Sequence, residues 1–196
     1  MRRLGLLVVG LWVGLGWSSA ASAIPIQWTG ASGGNDHYYE FVDNGSAITW
    51  VDAKTAAEQR GGHLAVVTSG DENNWIIDNI LLPESPETAI HGPWLGGFQD
   101  FASPTYSEPS GGWTWVTGEA WSYTAWAFPA EPTGGAGQDY LNYWHWLDLG
   151  WNDHFDDGAG VVYSYVVEYD TNPIPEPSTA LLLGLGLVGM AARRRV

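Results

Sequence analysis

The sequence of 196 residues contains no cysteine, which excludes a disulfide framework and any thiolate site. Basic residues are also scarce, since seven Lys and Arg stand against 22 Asp and Glu. Five of the seven lie in segments 1–3 and 193–195, so residues 24–173 carry 21 acids against only Lys54 and Arg60, a net charge of −19. A chain without clustered cations cannot neutralise a phosphate backbone, and we therefore exclude nucleic acid as the main partner.

Aromatic residues, in contrast, are abundant. The 13 Trp, 9 Tyr and 5 Phe provide ample apolar area for a core, which excludes a disordered chain. The 26 glycines and 11 prolines predict long loops. The two ends of the chain have compositions of their own, and the roughly 150 residues between them are enough for one domain with a single core.

The N-terminal segment has the three parts of a secretory signal peptide. Met1-Arg2-Arg3 is positively charged, an apolar run follows from Leu4 to Trp17, and Ala21-Ser22-Ala23 has the small residues of a cleavage site. We predict a signal peptide over residues 1–23, cut after Ala23 by signal peptidase. An uncleaved membrane anchor is the alternative, but the apolar run is shorter than the ~20 residues that span a bilayer.

The C-terminal segment combines Pro175-Glu176-Pro177, an apolar run from Ala180 to Ala192, and Arg193 to Arg195. This order resembles the PEP-CTERM sorting signal of exported bacterial proteins. The resemblance implies transient membrane anchoring by a tail over residues 174–196, and removal of that tail by an exosortase. It also implies a Gram-negative-type bacterium that makes exopolysaccharide. A simple C-terminal anchor is the alternative, and it would place the domain on the same side of the membrane.

The central segment, residues 24–173, predicts two helices and several strands. Thr49 and Ser69 are suitable N-caps, Gly61-Gly62 ends the first helix, and Pro83 ends the second. Apolar alternation and aromatic runs predict strands over 37–42, 63–68, 94–99, 112–117, 140–144 and 161–169. A loop of about twenty residues, 118–139, is long enough to indicate a function. Helices followed by strands predict an α+β fold with antiparallel pairing.

Several segments in order resemble a C-type lectin-like domain over residues 35–170. They are Trp94-Leu95-Gly96-Gly97, Glu131-Pro132-Thr133, Trp151-Asn152-Asp153 and Val166-Val167-Glu168. The resemblance implies a fold of two helices with antiparallel sheets and a long ligand-binding loop. The chain is a disulfide-free bacterial type, because Ala56 or Ala57 with Val167, and Tyr140 with the 155–156 stretch, stand where the family has cysteines.

The resemblance also implies a calcium ion held by Glu131, Asn152 and Asp153. Two positions are open: the fourth ligand is Asp139 or Gln138, and Thr133 stands where the family usually has asparagine, a better calcium ligand than a hydroxyl. In the family, vicinal sugar hydroxyls complete the calcium shell and bond to the same side chains, here Glu131, Asn152 and Asp153.

An aromatic ring usually packs on the apolar face of the sugar. Trp126 is the candidate that we select for that contact. Four other aromatic residues are also candidates, and for each of the five the alternative is packing in the core or loop: Trp121, Tyr123, Phe128 and Tyr143.

Other chemistry is less well supported. No Gly-x-Ser-x-Gly or His-Glu-x-x-His motif is present, and no carboxylate pair stands out as a glycosidase site. An acidic cluster with two histidines matches no standard zinc spacing; its members are His145, Asp148, Asp153, His154, Asp156 and Asp157.

The sequence therefore predicts an exported, non-enzymatic, calcium-dependent carbohydrate-binding protein. Its predicted place is the cell surface, outer envelope or extracellular matrix, and its partner is a glycan or exopolysaccharide. The alternative is a structural or protein-binding module of the same fold with a degenerate calcium site.

Overall fold

The computed structural model describes residues 23–84, 91–129, 131–135, 137–144, 149–156 and 160–174. In this part of the chain, eight strands form one sheet in the order β1-β2-β8-β4-β6-β7, with β3 on β8 and β5 on β4. The strands are β1 Ile26–Gln27, β2 Tyr38–Asp43, β3 His63–Leu64, β4 His91–Gln99, β5 Trp113–Trp115, β6 Tyr140–Trp144, β7 Gly150–His154 and β8 Ser164–Tyr169.

The α+β class and the two predicted helices are confirmed, and the sheet is antiparallel with one exception. Strands β4 and β8 run parallel where Trp94 pairs with Tyr165, a pairing that the sequence did not predict. This contact joins the β1-β2-β8 group to the β4-β6-β7 group. Strand β7 was not predicted either, and it carries part of the candidate site.

Both helices begin where the sequence predicts. Helix α1 spans Trp50–Gln59, and the Thr49 side chain accepts a hydrogen bond from the Asp52 amide. Helix α2 spans Gly70–Ile76 behind Ser69, which caps the Glu72 amide in the same way. The chain then continues through a π-helical segment, Ile77–Leu81, into a short helix α3, Leu82–Glu84. The predicted stop at Pro83 therefore lies inside α3.

Apolar side chains form two core clusters. One lies beside α2 and contains Tyr39, Phe41, Trp115 and Trp151, together with Ile76. The other lies beside α1 and contains Ala53, Ala57, Trp94, Tyr165 and Val167. Because Ala57 and Val167 are both fully buried in the second cluster, packing holds α1 and β8 together where the lectin-like resemblance places a disulfide.

A buried polar network joins β2, α2 and β8. The Tyr39 hydroxyl donates to Glu72 Oε1 at 2.6 Å and to Glu168 Oε1 at 3.1 Å. His37 Nδ1 lies 2.7 Å from Glu168 Oε1, and the Val66 amide donates to Glu168 Oε2. Burial raises the pKa of Glu72, and the hydrogen bond with Glu168 raises the pKa of His37. One hydroxyl thus bridges two buried carboxyl groups.

Replacing Tyr39 with phenylalanine is expected to lower the free energy of unfolding by about 2 kcal/mol, because Glu72 and Glu168 lose their shared donor inside the protein. Urea denaturation followed by tryptophan fluorescence measures this difference. Tyr38→Phe is the matched control, since the half-buried Tyr38 lies on the opposite face of β2. Equal stability of the two variants would show that the bridge adds nothing.

The two ends of the described chain lie together. A cavity of about 360 Å³ is lined by Ala23 and Ile24 from one end and by Pro173 and Ile174 from the other, with Glu40 and Arg60 in its wall. Residues 1–22 and the motif Pro175-Glu176-Pro177 lie outside the described residues. No helix in the described ranges is both long and apolar enough to cross a bilayer.

Candidate functional site

The candidate site is built on the hairpin of β6 and β7, where Leu141 pairs with Asp153 and Asn142 with Asn152. Side chains alternate along a strand, so Trp151 and Asp153 share one face and Asn152 lies on the other. The Trp151 ring belongs to the core beside α2, and Asp153 next to it is 0% exposed. Asn152 donates to Asn142 Oδ1 at 2.9 Å, which holds its amide away from Asp153.

The loop after Glu131 folds over the Asp153 carboxylate. The Thr133 amide donates to Asp153 Oδ1 at 3.0 Å, and the Gly134 amide donates to Asp153 Oδ2 at 2.9 Å. Each carboxylate oxygen accepts one of these bonds and keeps a further lone pair. These two bonds hold the loop on Asp153. The loop in turn places Glu131 close to Asp153, although the two residues are twenty-two positions apart in the sequence.

Glu131 carries the strongest electrostatic signal of the site. Its Oε2 atom is buried and has no hydrogen-bond partner among the described residues. Burial, followed by the hydrogen bond and the charge of Asp153, raises the pKa of Glu131 to about 7. Burial and the neighbouring Asp153 carboxylate thus favour the protonated form of Glu131. The same arrangement would favour a cation in place of that proton.

The two alternatives for the fourth ligand lie beside this pair. Gln138 Oε1 accepts bonds from the Thr133 hydroxyl at 3.0 Å and the Gly135 amide at 2.9 Å, which closes the loop. Asp139 is 8% exposed, and its Oδ1 atom has no partner in the described part of the chain. Burial, Glu108 and Asp153 raise the pKa of Asp139. Of the two, Asp139 has the oxygen that lacks a partner.

Sequence reasoning missed three polar neighbours. The backbone amide of the buried Gln99 donates to the Asp139 carbonyl at 2.8 Å, and the side-chain Oε1 atom of Gln99 has no partner in the described ranges. Asn142 faces Asn152, and Glu108 contributes charge at Asp139. One signal was available: an amide side chain stands at each of positions 99 and 142 within runs of apolar residues.

A model of the lectin C-type domain matches residues 46–160, more than half of the chain. The chain belongs to the C-type lectin family. The expected fold and the predicted resemblance are thereby confirmed. C-type lectin domains are binding proteins and not enzymes, in agreement with the sequence prediction.

Relatives of this lectin domain are distant. A perlucin-like protein of Mytilus galloprovincialis is 28% identical over 116 residues, which cover 59% of this chain and 66% of that protein, slightly less than two thirds. A solved complex of SPL-1 with GlcNAc is 26% identical, with a TM-score of 0.52, over 70% of this chain and 89% of that one. A calcium-independent type II antifreeze protein is 21% identical, with a TM-score of 0.53, over 76% and 95% of the two chains. At 21% identity the last shows the fold alone.

The lectin chain also carries a PEP-CTERM protein-sorting motif over residues 173–195, which confirms the second resemblance. This motif implies export and sorting at a Gram-negative-type envelope.

The donor set of the lectin domain fits calcium. Glu131, Asp139 and Asp153 supply hard carboxylate oxygens, and two of these oxygens, Glu131 Oε2 and Asp139 Oδ1, are buried without a partner in the described residues. Within the same ranges, no three His, Asp or Glu side chains are close enough together to bind one metal ion in this structure. Calcium would therefore draw these groups together, and Asn152 would have to turn from Asn142 to join them.

The zinc alternative gains no support. His145, Asp148 and Asp157 lie outside the described residues, so the full cluster is not described. Of the remaining members, Asp156 accepts a hydrogen bond from the Val51 amide at 3.1 Å, at the start of α1.

The aromatic candidates divide into packed and exposed rings. Trp126 is half-buried, and its ring centroid lies 4.9 Å from that of Trp113 and 6.0 Å from that of Trp151. Trp121 and Tyr123 contact Trp151 as well, and Tyr143 is fully buried. Phe128, in contrast, is 90% exposed. A sugar could therefore reach Phe128 without any rearrangement of the core.

Proposed function

We propose that this protein is an exported carbohydrate-binding lectin whose ligand recognition depends on calcium. Its mature form is residues 24–173, and it works at the cell surface, in the outer envelope or in the extracellular matrix. Membership of the C-type lectin family and the sorting motif support this proposal. The solved complex of SPL-1, a relative of the same fold, contains GlcNAc.

One observation carries the proposal. Glu131 and Asp153 come from separate stretches of the chain and lie close together, and burial, followed by the hydrogen bond and the charge of Asp153, raises the pKa of Glu131 to about 7. A divalent cation would relieve this repulsion, since it favours both ionised carboxylates at once. The site is therefore arranged to exchange a proton for calcium.

Glu131, Asp153 and Asp139 would hold the ion, with Asn152, Thr133 and Gln138 as further oxygen donors. Calcium would supply open coordination positions for two sugar hydroxyls. The protein would orient hydrogen-bond acceptors around those hydroxyls. The Thr133 and Gly134 amides hold the Asp153 carboxylate in place, and Gln138 Oε1 holds the Thr133 hydroxyl. Trp126 remains a candidate for the sugar contact, although its ring also packs against Trp113 and Trp151.

The partner is a glycan, and an exopolysaccharide in the setting that the sorting motif implies. Signal peptidase would cut the chain after Ala23, which leaves residue 24 as the new N-terminus. The tail would anchor the protein transiently in the membrane until exosortase acts at Pro175-Glu176-Pro177. The net charge of −19 over residues 24–173 would repel an acidic polymer in the absence of cations. Calcium would reduce that repulsion.

Millimolar calcium is expected to raise the midpoint of thermal unfolding, because an ion that binds only the folded state stabilises it, by about 2.7 kcal/mol at a hundredfold excess over Kd. Glu131→Gln and Asp153→Asn should each weaken calcium binding by about tenfold or more, since each removes one ligand charge. Isothermal titration calorimetry measures the affinity, and a glycan array with calcium or chelator then measures sugar binding.

Glu119→Gln is the matched control, because Glu119 is an exposed acid near the start of the same long loop. It should bind calcium like the wild type. An unchanged melting midpoint in calcium, or equal affinities for Glu131→Gln and Glu119→Gln, would contradict the proposed site.

The alternative function is a structural or protein-binding module that has the same fold but a degenerate calcium site and no sugar binding. It is favoured by Thr133, which offers a hydroxyl where the family usually has an asparagine amide, and by the Asn152 amide, which is bound to Asn142. On this alternative the domain melts at the same temperature in calcium and in chelator, and no glycan is retained on the array.

A further inference from the structure

Phe128 is presented to solvent on a firmly held turn. Its neighbour Ala127 is buried, and the Ala127 amide donates to the Trp151 carbonyl of β7 at 2.9 Å. The turn closes where the Glu131 amide donates to the Ala127 carbonyl at 2.9 Å. The backbone before Phe128 is thus bonded to β7 and the backbone after it is bonded to Ala127, while the ring itself is 90% exposed.

A second exposed ring lies on a different loop, between β4 and β5. Phe101 is 62% exposed, and its ring centroid lies 5.1 Å from that of Tyr106 at an angle of 64°. The Tyr106 hydroxyl donates to Glu108 Oε1 at 2.8 Å. Phe101 and Tyr106 therefore form an edge-to-face pair that is tied to the acidic residue before Pro109.

The loop that covers Asp153 lies between these two features. A side chain at Gly134 would come within 2.5 Å of Pro109 Cβ and 3.3 Å of Glu108 Oε2, so the Phe101 loop is packed directly against Gly134. Three residues earlier, Glu131 closes the turn that carries Phe128. Phe128 and Phe101 thus lie on two loops that contact opposite ends of the 131–134 segment, one at Glu131 and the other at Gly134.

We propose that the lectin domain binds several consecutive units of an extended, uncharged polysaccharide, with Phe128 and Phe101 as two stacking platforms on either side of the calcium site. The inference rests on the proposed sugar-binding function and names its ligand class. One pyranose covers one aromatic face, so two rings on separate loops require more than one unit. The buried oxygens of Glu131 and Asp139, without partners in the described residues, would supply the polar contact of this extended site.

The charge of the domain selects among possible occupants. A surface with 21 acids and two bases repels anionic lipid, acidic polymers and a second copy of itself. Stacking of a ring on sugar C–H groups needs no opposite charge. A neutral hexose chain therefore meets the rings without electrostatic opposition.

The test measures affinity against chain length in calcium, by calorimetry, with uncharged linear oligomers of glucose, mannose or galactose from one to six units. For the wild type, the hexamer of at least one series should bind about tenfold or more tightly than its monomer. For each of the variants Phe128→Ala and Phe101→Ala, the ratio of monomer Kd to hexamer Kd should be about fivefold lower than for the wild type. Tyr163→Ala is the control, because Tyr163 is 40% exposed and lies beside β8, outside these loops.

The outcomes separate this inference from the proposed function. Monomer and hexamer of equal affinity would overturn the extended site and leave monosaccharide recognition intact. The same result follows if both phenylalanine variants keep the wild-type ratio. Failure to bind any oligomer would overturn both. A loss of self-association or of vesicle binding in Phe128→Ala, with the glycan ratio unchanged, would assign the ring to another partner and overturn the inference.

Discussion

Replacing Asn73 with alanine is expected to lower the free energy of unfolding by about 3 kcal/mol. Asn73 Oδ1 accepts hydrogen bonds from the Tyr143 hydroxyl at 2.9 Å and from Trp151 Nε1 at 3.0 Å, and all three side chains are buried. The substitution leaves two donors inside the core without an acceptor, each at about 1–3 kcal/mol. The better helix propensity of alanine offsets only about 0.5 kcal/mol of this loss.

Asn74→Ala is the matched control for that experiment, because Asn74 is the next residue of α2 and is exposed. Urea denaturation should place Asn74→Ala within about 0.5 kcal/mol of the wild type. Since Trp151 precedes Asn152 and Asp153 on β7, Asn73→Ala should also weaken calcium binding. A stability loss below 1 kcal/mol for Asn73→Ala would contradict the role given to its carbonyl oxygen.

The second large effect is a loss of stability with rising pH in the absence of calcium. The pKa of Glu131 rises from 4.5 to about 7 in the folded chain. Between those values the unfolded chain releases a proton that the folded chain retains, so the free energy of unfolding falls as pH increases. After allowance for the partial solvent contact of Glu131, the fall is about 2 kcal/mol.

Two groups of the buried network change stability in the same direction. Burial raises the pKa of Glu72, so its contribution is complete below 4.5 and is lost as pH rises through the higher folded value. The hydrogen bond to Glu168 raises the pKa of His37 from 6.5, and its contribution is lost as pH rises further. The calcium-free domain should therefore be most stable in mild acid.

Urea denaturation at a series of pH values in chelator measures this trend. Glu131→Gln should be flatter than the wild type between pH 4.5 and 7, because the neutral amide holds no titrating proton. Saturating calcium should also flatten the wild-type curve, since the ion favours the ionised carboxylate. Stability that increases from pH 5 to pH 8 in chelator would refute the assignment.

Local chemistry explains which elements the sequence predicted. Thr49 and Ser69 begin the two helices because each side chain caps an amide three residues later, a contact that depends on no distant residue. Apolar alternation predicted a strand over 161–169, and in β8 the side chains of Tyr165, Val167 and Tyr169 share one core cluster. Such signals lie within a few positions of one another and can be read directly.

Tertiary contacts explain what the sequence did not predict. Strand β7 contains Asn152, Asp153 and His154, which have little strand preference, and it forms because β6 pairs with one edge. The segment around Trp126 pairs with the other edge, inside the predicted loop. The Glu72–Glu168 network was missed as well, although Glu168 is the only charged residue in the apolar strand β8.

The candidate site divides in the same way. Its members Glu131 and Asp153 followed from the lectin resemblance, and the structure places them together. The side on which Asn152 lies depends on the register between β6 and β7, which residue spacing alone does not determine. The exposure of Phe128 depends on how the 125–127 segment docks on β7. Neither could be derived before the strands were paired.

Because Ala23 and Ile174 line one cavity, the two ends of the described residues lie close together. A unit with that layout can be spliced into an exposed turn of a host protein without forcing the host strands apart. We therefore expect residues 24–174 to fold when they are inserted into such a turn of an unrelated scaffold. A circular permutant that joins Ile24 to Ile174 through a short linker would preserve the same strand order.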